Sequence, residues 1–374
     1  SVATSLQLEC EPWSNPTGLI LTFSDPARPP GESDATRVIR MPPGDTDLAK
    51  LCEVDRIAED VVAGRLDLAA GHAALRALDQ PFTARAKVMQ VFGFGLAAGS
   101  VAGLLRLPWL DIGTAAGIGL LIGLLDLATR RRPQLKEAGD ALASLLAGFV
   151  AIAVASYAPL NLNTVIVASL IVLVPGMGLT NAVNELTSQH LVSGTARFAG
   201  ALTTVMKLSV GTMIALTLAH FAGLSPHVRA LRPQPDWVEW VALVLAAYAF
   251  ALLFRSARRD YPIVMLSAMV GYLIAHLAGD AWGVRAGIFL SALVMTAAGN
   301  GYARWWHRPG ALVRVPGILM LVPGSASLRA MMNLVQQQDV AAGQDAALTV
   351  LNVLLALVAG LLFGNLLLPT RRNL

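Results

Sequence analysis

Ten long apolar runs fill the chain from Val88 onward, and they constrain its fold more than any other feature. Each approaches the roughly 20 residues that an α-helix needs to cross the hydrocarbon core of a bilayer. The runs are 88–105, 109–128, 140–158, 163–182, 197–221, 237–254, 261–278, 284–302, 311–334 and 345–368. Charged residues make up only 14% of the sequence, against about 25% in a typical soluble domain. We therefore predict an α-helical integral membrane protein with about ten transmembrane helices.

The first 87 residues are more polar than the rest of the chain. Three segments rich in β-formers, 6–13, 18–23 and 36–41, predict short strands. The carboxylates around Asp47 suit the N-cap of a helix with apolar residues at helical spacing up to Gly64, and Asp67 suits the start of a second helix. We predict a small α+β domain over 1–87, followed by membrane units over 88–223 and 236–374.

The basic residues indicate how the helices are oriented. If the N-terminus is cytoplasmic, about fifteen Lys and Arg residues fall on the inner side and about five on the outer side. This bias predicts an even number of spans, with both termini in the cytoplasm. The expected location is the bacterial cytoplasmic (inner) membrane.

Several function classes are excluded or made improbable by what the sequence lacks. It contains no GxxxxGK[ST], HExxH, CxxC or GxSxG string, which argues against ATP-driven transport by this chain alone and against the enzyme classes that use these motifs. Its basic residues lie in short clusters beside apolar runs, unlike a nucleic-acid-binding stripe. Cys10 and Cys52 lack metal-ligand spacing. We expect no enzyme activity, cofactor, metal or nucleic acid.

A short string occurs twice, at corresponding places in the two membrane units. Leu173 to Gly176 and Leu321 to Gly324 both read LVPG, each about four spans into a set of five. A five-span unit ends on the side opposite its start, so two consecutive units have opposite orientations in the membrane. This arrangement is the inverted repeat of many secondary transporters.

Both strings place Pro-Gly inside an apolar run, at Pro175-Gly176 and Pro323-Gly324, and we expect the second run to be interrupted earlier too, at Pro316-Gly317. Interrupted spans at corresponding positions indicate a substrate site, because their freed backbone groups must face protein or water rather than lipid. A helix that restarts after the break directs N–H groups and a positive dipole end toward it, which suits a carboxylate. The alternative is that these prolines only kink helices for packing.

Polar residues follow each break and are the candidate substrate ligands. After the first come Thr180, Asn181, Asn184, Glu185, Ser193 and Arg197, and after the second come Ser325, Ser327, Arg329 and Asn333. Such groups at membrane depth could hold a zwitterionic amino acid or a small carboxylate. We favour Thr180 and Asn181, which lie nearest the first break. For Glu185 and Arg197, flanking charges of a cytoplasmic loop are an equal alternative.

Lys207 is the most conspicuous single charge. It lies ten residues beyond Arg197, which predicts a depth of roughly 15 Å, near the bilayer centre. A lysine there would be a charge or coupling partner. The alternatives are a structural ion pair, or a shifted span from which the side chain reaches the interface. Asp111, Asp126 and His276 lie near predicted span ends, where we expect interfacial roles.

The motifs resemble those of the threonine/serine exporter family. The cytoplasmic front of the family is similar to segments 36–40, 46–51 and 61–68. Its most distinctive motif resembles the stretch from Val174 to Leu186 together with 193–197. The motif of its second half is similar to 316–325. Glu185 departs from the Asp expected in the motif, and the front domain is shorter than expected. The resemblance covers nearly the whole chain. It implies about ten spans and gradient-driven export of small hydrophilic metabolites, typically threonine and serine, while split two-subunit members are linked to dicarboxylates.

The leading hypothesis is therefore a secondary active exporter of threonine, serine or similar metabolites, driven by the proton motive force. Its expected partners are the substrate, protons and the bilayer, and a homo-oligomer remains open. The alternatives are a dicarboxylate exporter, a passive channel, and a non-transporting membrane anchor for the N-terminal domain.

Overall fold

The computed structural model describes residues 2–29, 35–41, 44, 46–80, 83–130, 132–229, 233–322, 327–330, 332 and 340–369. The protein is mainly helical, with a small sheet near its N-terminus. The predicted class, a membrane protein with a small N-terminal α+β domain, is confirmed.

The N-terminal part contains the three strands that the sequence predicts. Helix α1 (Val2–Ser5) precedes β1 (Glu9–Asn15), β2 (Gly18–Ser24) and β3 (Ala35–Arg40). The strands pair antiparallel in the order β1-β2-β3.

Two capped helices follow the sheet, α2 (Leu48–Val62) and α3 (Leu68–Ala77). The Asp47 carboxylate accepts a hydrogen bond from the Lys50 N–H at 2.9 Å, and that of Asp67 from the Ala70 N–H at 2.6 Å. Each cap satisfies a backbone donor that the first helical turn leaves unpaired. Both helix starts therefore lie where the sequence predicts them.

Eight helices in the described part of the chain are long and apolar enough to cross a membrane. They are α4 (Ala84–Leu104), α5 (Trp109–Thr129), α7 (Gly139–Tyr157), α10 (Leu191–Phe221), α11 (Asp236–Leu253), α12 (Tyr261–Trp282), α13 (Val284–Trp306) and α15 (Val340–Leu367). A short helix, α6 (Pro133–Glu137), precedes α7. The remaining two predicted spans contain the Pro-Gly strings. The first consists of shorter helical pieces, and so do the described residues of the second.

The first of these spans is broken where the sequence predicts. Helix α8 (Leu162–Ser169) ends in a turn over 170–174, and α9 (Gly176–Thr187) begins directly after Pro175. Proline has no N–H to donate, so Pro175 cannot continue the α8 ladder, but it is compatible with the position that precedes a new helix.

The second broken span begins with α14 (Ala311–Leu319), and residues 327–330 are helical again. Pro323, Gly324 and Ser325 lie outside the described residues. The expected interruption at Pro316-Gly317 is wrong, because α14 continues through both residues. Its neighbours hold the helix there: a Cβ on Gly317 would overlap Met295, and one on Gly271 would meet the Gly317 carbonyl at 2.5 Å. Packed neighbours let membrane helices retain an internal proline.

Residues after each break pack into the core of the other half. Leu328 and Met332 belong to the buried cluster built from α4, α5, α7, α8 and α10. Conversely, Met177 of α9 packs against the cluster that includes Ile288, Ile318 and Leu357. The two halves are therefore interlocked at the broken helices.

Within each half the long helices pack in the same order. In the first half α4 contacts α5, α5 contacts α7, and α7 contacts α10; in the second half α11 contacts α12, α12 contacts α13, and α13 contacts α15. The pair α4 and α11 joins the halves. The inverted relation between the halves and the domain limits stay predictions.

The N-terminal domain is attached to one end of the membrane part through α2. The Leu48 N–H donates to the Phe254 carbonyl at 2.9 Å, and Leu48 and Cys52 are buried with Leu312 at the start of α14. At the rim, Arg259 contacts Glu53 at 3.3 Å. Helix α2 therefore packs against the start of α14 and also contacts the loop between α11 and α12.

Candidate functional site

The start of α9 presents backbone donors that have no partner among the described residues, beside the first break. Pro175 is its N-cap, and no side chain in the described part of the chain caps the helix. The N–H of Gly176 bonds the Val174 carbonyl at 2.8 Å, and the regular ladder resumes only with Leu179, whose N–H bonds the Pro175 carbonyl at 2.9 Å. An uncapped N-terminus with its positive dipole end suits an anionic group.

Thr180 and Asn181 lie one turn farther along α9. Thr180 is only 1% exposed, and its Oγ1 has no hydrogen-bond partner among the described residues. Asn181 is exposed, so its amide is open to a cavity or to solvent. A buried hydroxyl without a partner costs free energy, which makes Thr180 a candidate ligand contact.

Glu185 is already engaged on both carboxylate oxygens. Arg197 Nε donates to Glu185 Oε1 at 2.7 Å, and Ser193 Oγ donates to Oε2 at 2.7 Å. A Cβ on Gly194 would meet Leu186 at 2.7 Å, so the α9–α10 corner is also tightly packed. This geometry favours a structural clamp between α9 and α10 for Glu185 and Arg197. Asn184 is half-buried on the same helix, and its backbone carbonyl accepts a hydrogen bond from Thr187 Oγ1.

Arg329 occupies the helical stretch after the second break. Its side chain is exposed, while its neighbours Leu328 and Ala330 are 0% and 6% exposed. No ion pair to Arg329 occurs among the residues that the structure describes. Asn181 lies five residues after Gly176, and Arg329 lies five residues after Gly324. Each of these two residues follows a buried residue in the sequence. Polar groups in these spans are stable only where they face water or protein.

The structure shows what Lys207 contacts. Its Nζ donates to the Glu137 carbonyl at 2.9 Å and lies 3.7 Å from Asp140 Oδ2, in the first turn of α7. Lys207 lies near the middle of α10 and level with the start of α7, and its depth in the membrane stays a prediction. The contacts match the alternative of a structural ion pair.

One described cavity lies away from the breaks. It has a volume of about 280 Å³ between α4, α5 and α11, and its lining includes Gly95, Gly99, Trp109 and Trp237. Nearly all of its lining is apolar, so it does not suit a zwitterionic amino acid.

Two buried aspartates carry contacts that the sequence did not indicate. Asp111, expected at an interface, is 0% exposed and accepts two hydrogen bonds from Asn161, the residue before α8. Asp260 is 1% exposed and pairs with Arg308, just before α14. An aspartate at a helix start normally indicates an exposed cap, so no sequence signal distinguishes these two.

The fold defines a class: a multi-pass membrane protein with an interrupted helix in its first half, an arrangement that secondary transporters use. The comparisons with known proteins agree. A model described as "Putative threonine/serine exporter" matches residues 1–219, and a second, "Threonine/Serine exporter, ThrE", matches 239–367. The chain therefore belongs to the threonine/serine exporter family, a family of transporters rather than enzymes.

Individual relatives are distant. A threonine/serine exporter of Corynebacterium glutamicum is 22% identical over 86% of this chain and 67% of its own length. Pheromone-regulated membrane protein 10 of Eremothecium gossypii is 25% identical over 64% of this chain, and that of Pichia sorbitophila is 22% identical over 87%. The chain spans about a third of the length of these yeast relatives, 34% and 33%. No solved structure matches.

Proposed function

We propose that the protein exports threonine, serine or similar small carboxylated metabolites, and that the proton motive force drives the export. The observation that carries the proposal is the uncapped start of α9 beside Thr180, whose buried hydroxyl lacks a partner among the described residues. The family membership and the name of the Corynebacterium glutamicum relative support the substrate class.

The substrate carboxylate is proposed to meet the α9 N-terminus after Pro175-Gly176, and Arg329 supplies the opposing positive charge from the second half. Pro323, Gly324 and Ser325 are proposed to form the matching break. Unwound backbone such as 170–174 presents carbonyl groups that suit an ammonium group. Asn181 then offers both a donor and an acceptor to the substrate hydroxyl.

The corner between α9 and α10 is proposed to be held in place by Glu185, Arg197 and Asn184. Lys207 is proposed to hold α10 against α7. Because Leu328 and Met177 each pack into the opposite half, a shift of one half moves ligands of the other. This interlocking suits alternating access between two inverted units, with both termini in the cytoplasm of a bacterium.

Transport in proteoliposomes tests the proposal. Purified protein is reconstituted with an acidic lumen and supplied with labelled threonine, serine or succinate outside. We expect saturable uptake of threonine or serine that collapses when a protonophore removes the gradient. Preferential succinate uptake would move the substrate to dicarboxylates. Flux that is linear in concentration and indifferent to the gradient would identify a channel, and no flux of any of the three would refute the proposal.

A further inference from the structure

We propose that Arg314 binds the carboxylate of the substrate as it enters the membrane part, at the end to which the N-terminal domain is attached. The inference rests on the proposed export of carboxylated metabolites and adds the residue that captures them on the cytoplasmic side. Its basis is a guanidinium in the second broken span that has no described partner.

Arg314 lies in the first turn of α14, on the face that packs inside the second half. Gly317 and Ile318, three and four residues later, share this face, and they pack against Met295 of α13 and the buried cluster around it. A Cβ on Gly299 of α13 would lie 3.2 Å from the Arg314 Cβ, so the α13 backbone passes close to the base of the arginine side chain. The half-buried arginine therefore stands between helices rather than on the lipid-facing surface.

No carboxylate of the described residues balances this charge. Arg314 forms no ion pair or hydrogen bond within the part of the chain that the structure describes. The buried carboxylate at this end, Asp260, already accepts from Arg308 on both oxygens, at 2.6 and 2.9 Å. Helices α12 and α13 pack against α14; α13 contains no acidic residue, and the one within α12, Asp280, lies at the opposite end of that helix.

A comparison with Arg304 shows why the position of Arg314 is costly. Arg304 is also half-buried, but it lies in the last turn of α13, where the negative end of the helix dipole stabilises a cation. Arg314 lies in a first turn, where the dipole has the opposite sign. A guanidinium stays charged at every physiological pH, so Arg314 cannot escape this cost by losing its proton. Such a cation is expected to face water or an anion, and to mark the path of a substrate.

A carboxylate suits this position better than other small anions. The planar guanidinium can donate two parallel N–H bonds to the two oxygens of one carboxylate, which adds geometric selectivity to the charge. Arg314 precedes Pro323 by nine residues, which corresponds to roughly 13 Å at helical rise. The captured substrate is therefore on the way to the proposed second break and has not yet reached it.

The test measures the KM from the side on which Arg314 lies. In the acid-lumen proteoliposomes, gradient-driven uptake comes from molecules whose N-terminal domain faces outward, so the substrate enters past Arg314. We expect Arg314→Gln to raise the KM for threonine or serine at least about tenfold, as loss of a charge-assisted hydrogen bond predicts. The maximal rate should stay within about twofold, because the ligands at the first break are intact. Arg304→Gln is the matched control and should keep the KM within about twofold of wild type.

The melting temperature in detergent separates ligand binding from a structural role. Removal of an unpaired, half-buried charge takes no stabilising contact from the fold, so Arg314→Gln should melt at or above the temperature of wild type. A clearly lower melting temperature with an unchanged KM would assign Arg314 to the structure and overturn the proposal. An unchanged KM would also overturn it if phosphatidylglycerol stabilised wild type but not Arg314→Gln, because the bound anion would then be a lipid phosphate.

The outcomes separate this inference from the proposed function. If wild-type protein transports none of threonine, serine and succinate, the proposed function itself is wrong. If wild-type protein transports one of them and Arg314→Gln keeps the same KM, only the assignment of Arg314 is overturned.

If Arg314→Gln does not fold, Arg314→Lys provides the decision. Lysine keeps the positive charge but lacks the planar fork that binds both carboxylate oxygens. We expect the KM for threonine or serine to rise at least about threefold, and an unchanged KM would overturn the assignment.

Discussion

Single polar side chains among apolar helices are the most informative groups in this protein, because each one must find a partner or bear the cost of burial. Thr180, Asp111 and Asp260 illustrate three outcomes. Asp260 is fully paired, Asp111 is paired on one oxygen, and the Thr180 hydroxyl has no described partner. We infer that the Thr180 hydroxyl, which lies next to the first break, contacts a ligand, whereas the fully paired Asp260 stabilises the fold.

Thr180→Val tests the substrate contact, because it removes the hydroxyl with little change of shape. We expect the KM for threonine uptake to rise about fivefold to twelvefold, which corresponds to one lost hydrogen bond of roughly 1–1.5 kcal/mol. Thermal stability should stay equal or increase, since no buried hydroxyl remains unpaired. Thr203→Val on the exposed face of α10 is the control, and an unchanged KM in Thr180→Val would exclude this contact.

Lys207→Ala tests whether this residue only forms a structural ion pair. The pair with Asp140 is partly exposed, with side-chain exposures of 39% and 29%, so its loss should cost less than about 1 kcal/mol. Gradient-driven flux per folded protein should remain within about twofold of wild type. Loss of gradient dependence with normal counterflow would instead restore Lys207 as a coupling group.

At the scale of elements, the boundaries of most helices follow from local sequence. Apolar runs define the long spans, Asp47 and Asp67 define the starts of α2 and α3, and Pro175 defines the start of α9. One prediction failed where packing outweighed local chemistry. Helix α14 passes through Pro316 because α12 and α13 hold it.

The docking of α2 predicts slow modification of Cys52. Burial against the membrane part raises the pKa of the Cys52 thiol, so both the thiolate fraction and the access of a reagent are low. Maleimide labelling of Cys52 in a Cys10→Ser background should be at least about tenfold slower than labelling of Cys10 in a Cys52→Ser background. Leu48→Asp should release α2 and speed the labelling of Cys52, and equally fast labelling of both thiols would contradict the docked arrangement.

At the scale of the whole molecule, the two halves are joined by the segments that follow the breaks. Leu328 enters the core of the first half, while Met177 of α9 enters the core of the second. The candidate ligands thus come from segments anchored in opposite halves, so the proposed substrate site depends on the relative position of the halves.

Leu328→Ala tests this interlocking through stability. Leu328 is 0% exposed, so its truncation should leave a cavity between the halves and cost about 2–5 kcal/mol of unfolding free energy. The melting temperature in detergent should fall clearly, whereas Leu348→Ala, at a side chain 57% exposed on α15, should leave it nearly unchanged. Equal melting temperatures of the two variants would contradict the packing of Leu328 across the halves.

The sequence by itself determined the membrane class, the starts of α2 and α3 and the first break, because apolar length, capping carboxylates and Pro-Gly strings act within a few residues of chain. It also selected Thr180 and Asn181 as candidate ligands by their distance from that break. The tertiary structure alone decided which charges are paired. Lys207 meets Asp140 across 67 residues, Asp111 meets Asn161 across 50, and Asp260 meets Arg308 across 48, as their residue numbers show. Burial and electrostatic balance depend on such contacts between elements, and the spacing of residues along one helix contains no information about them.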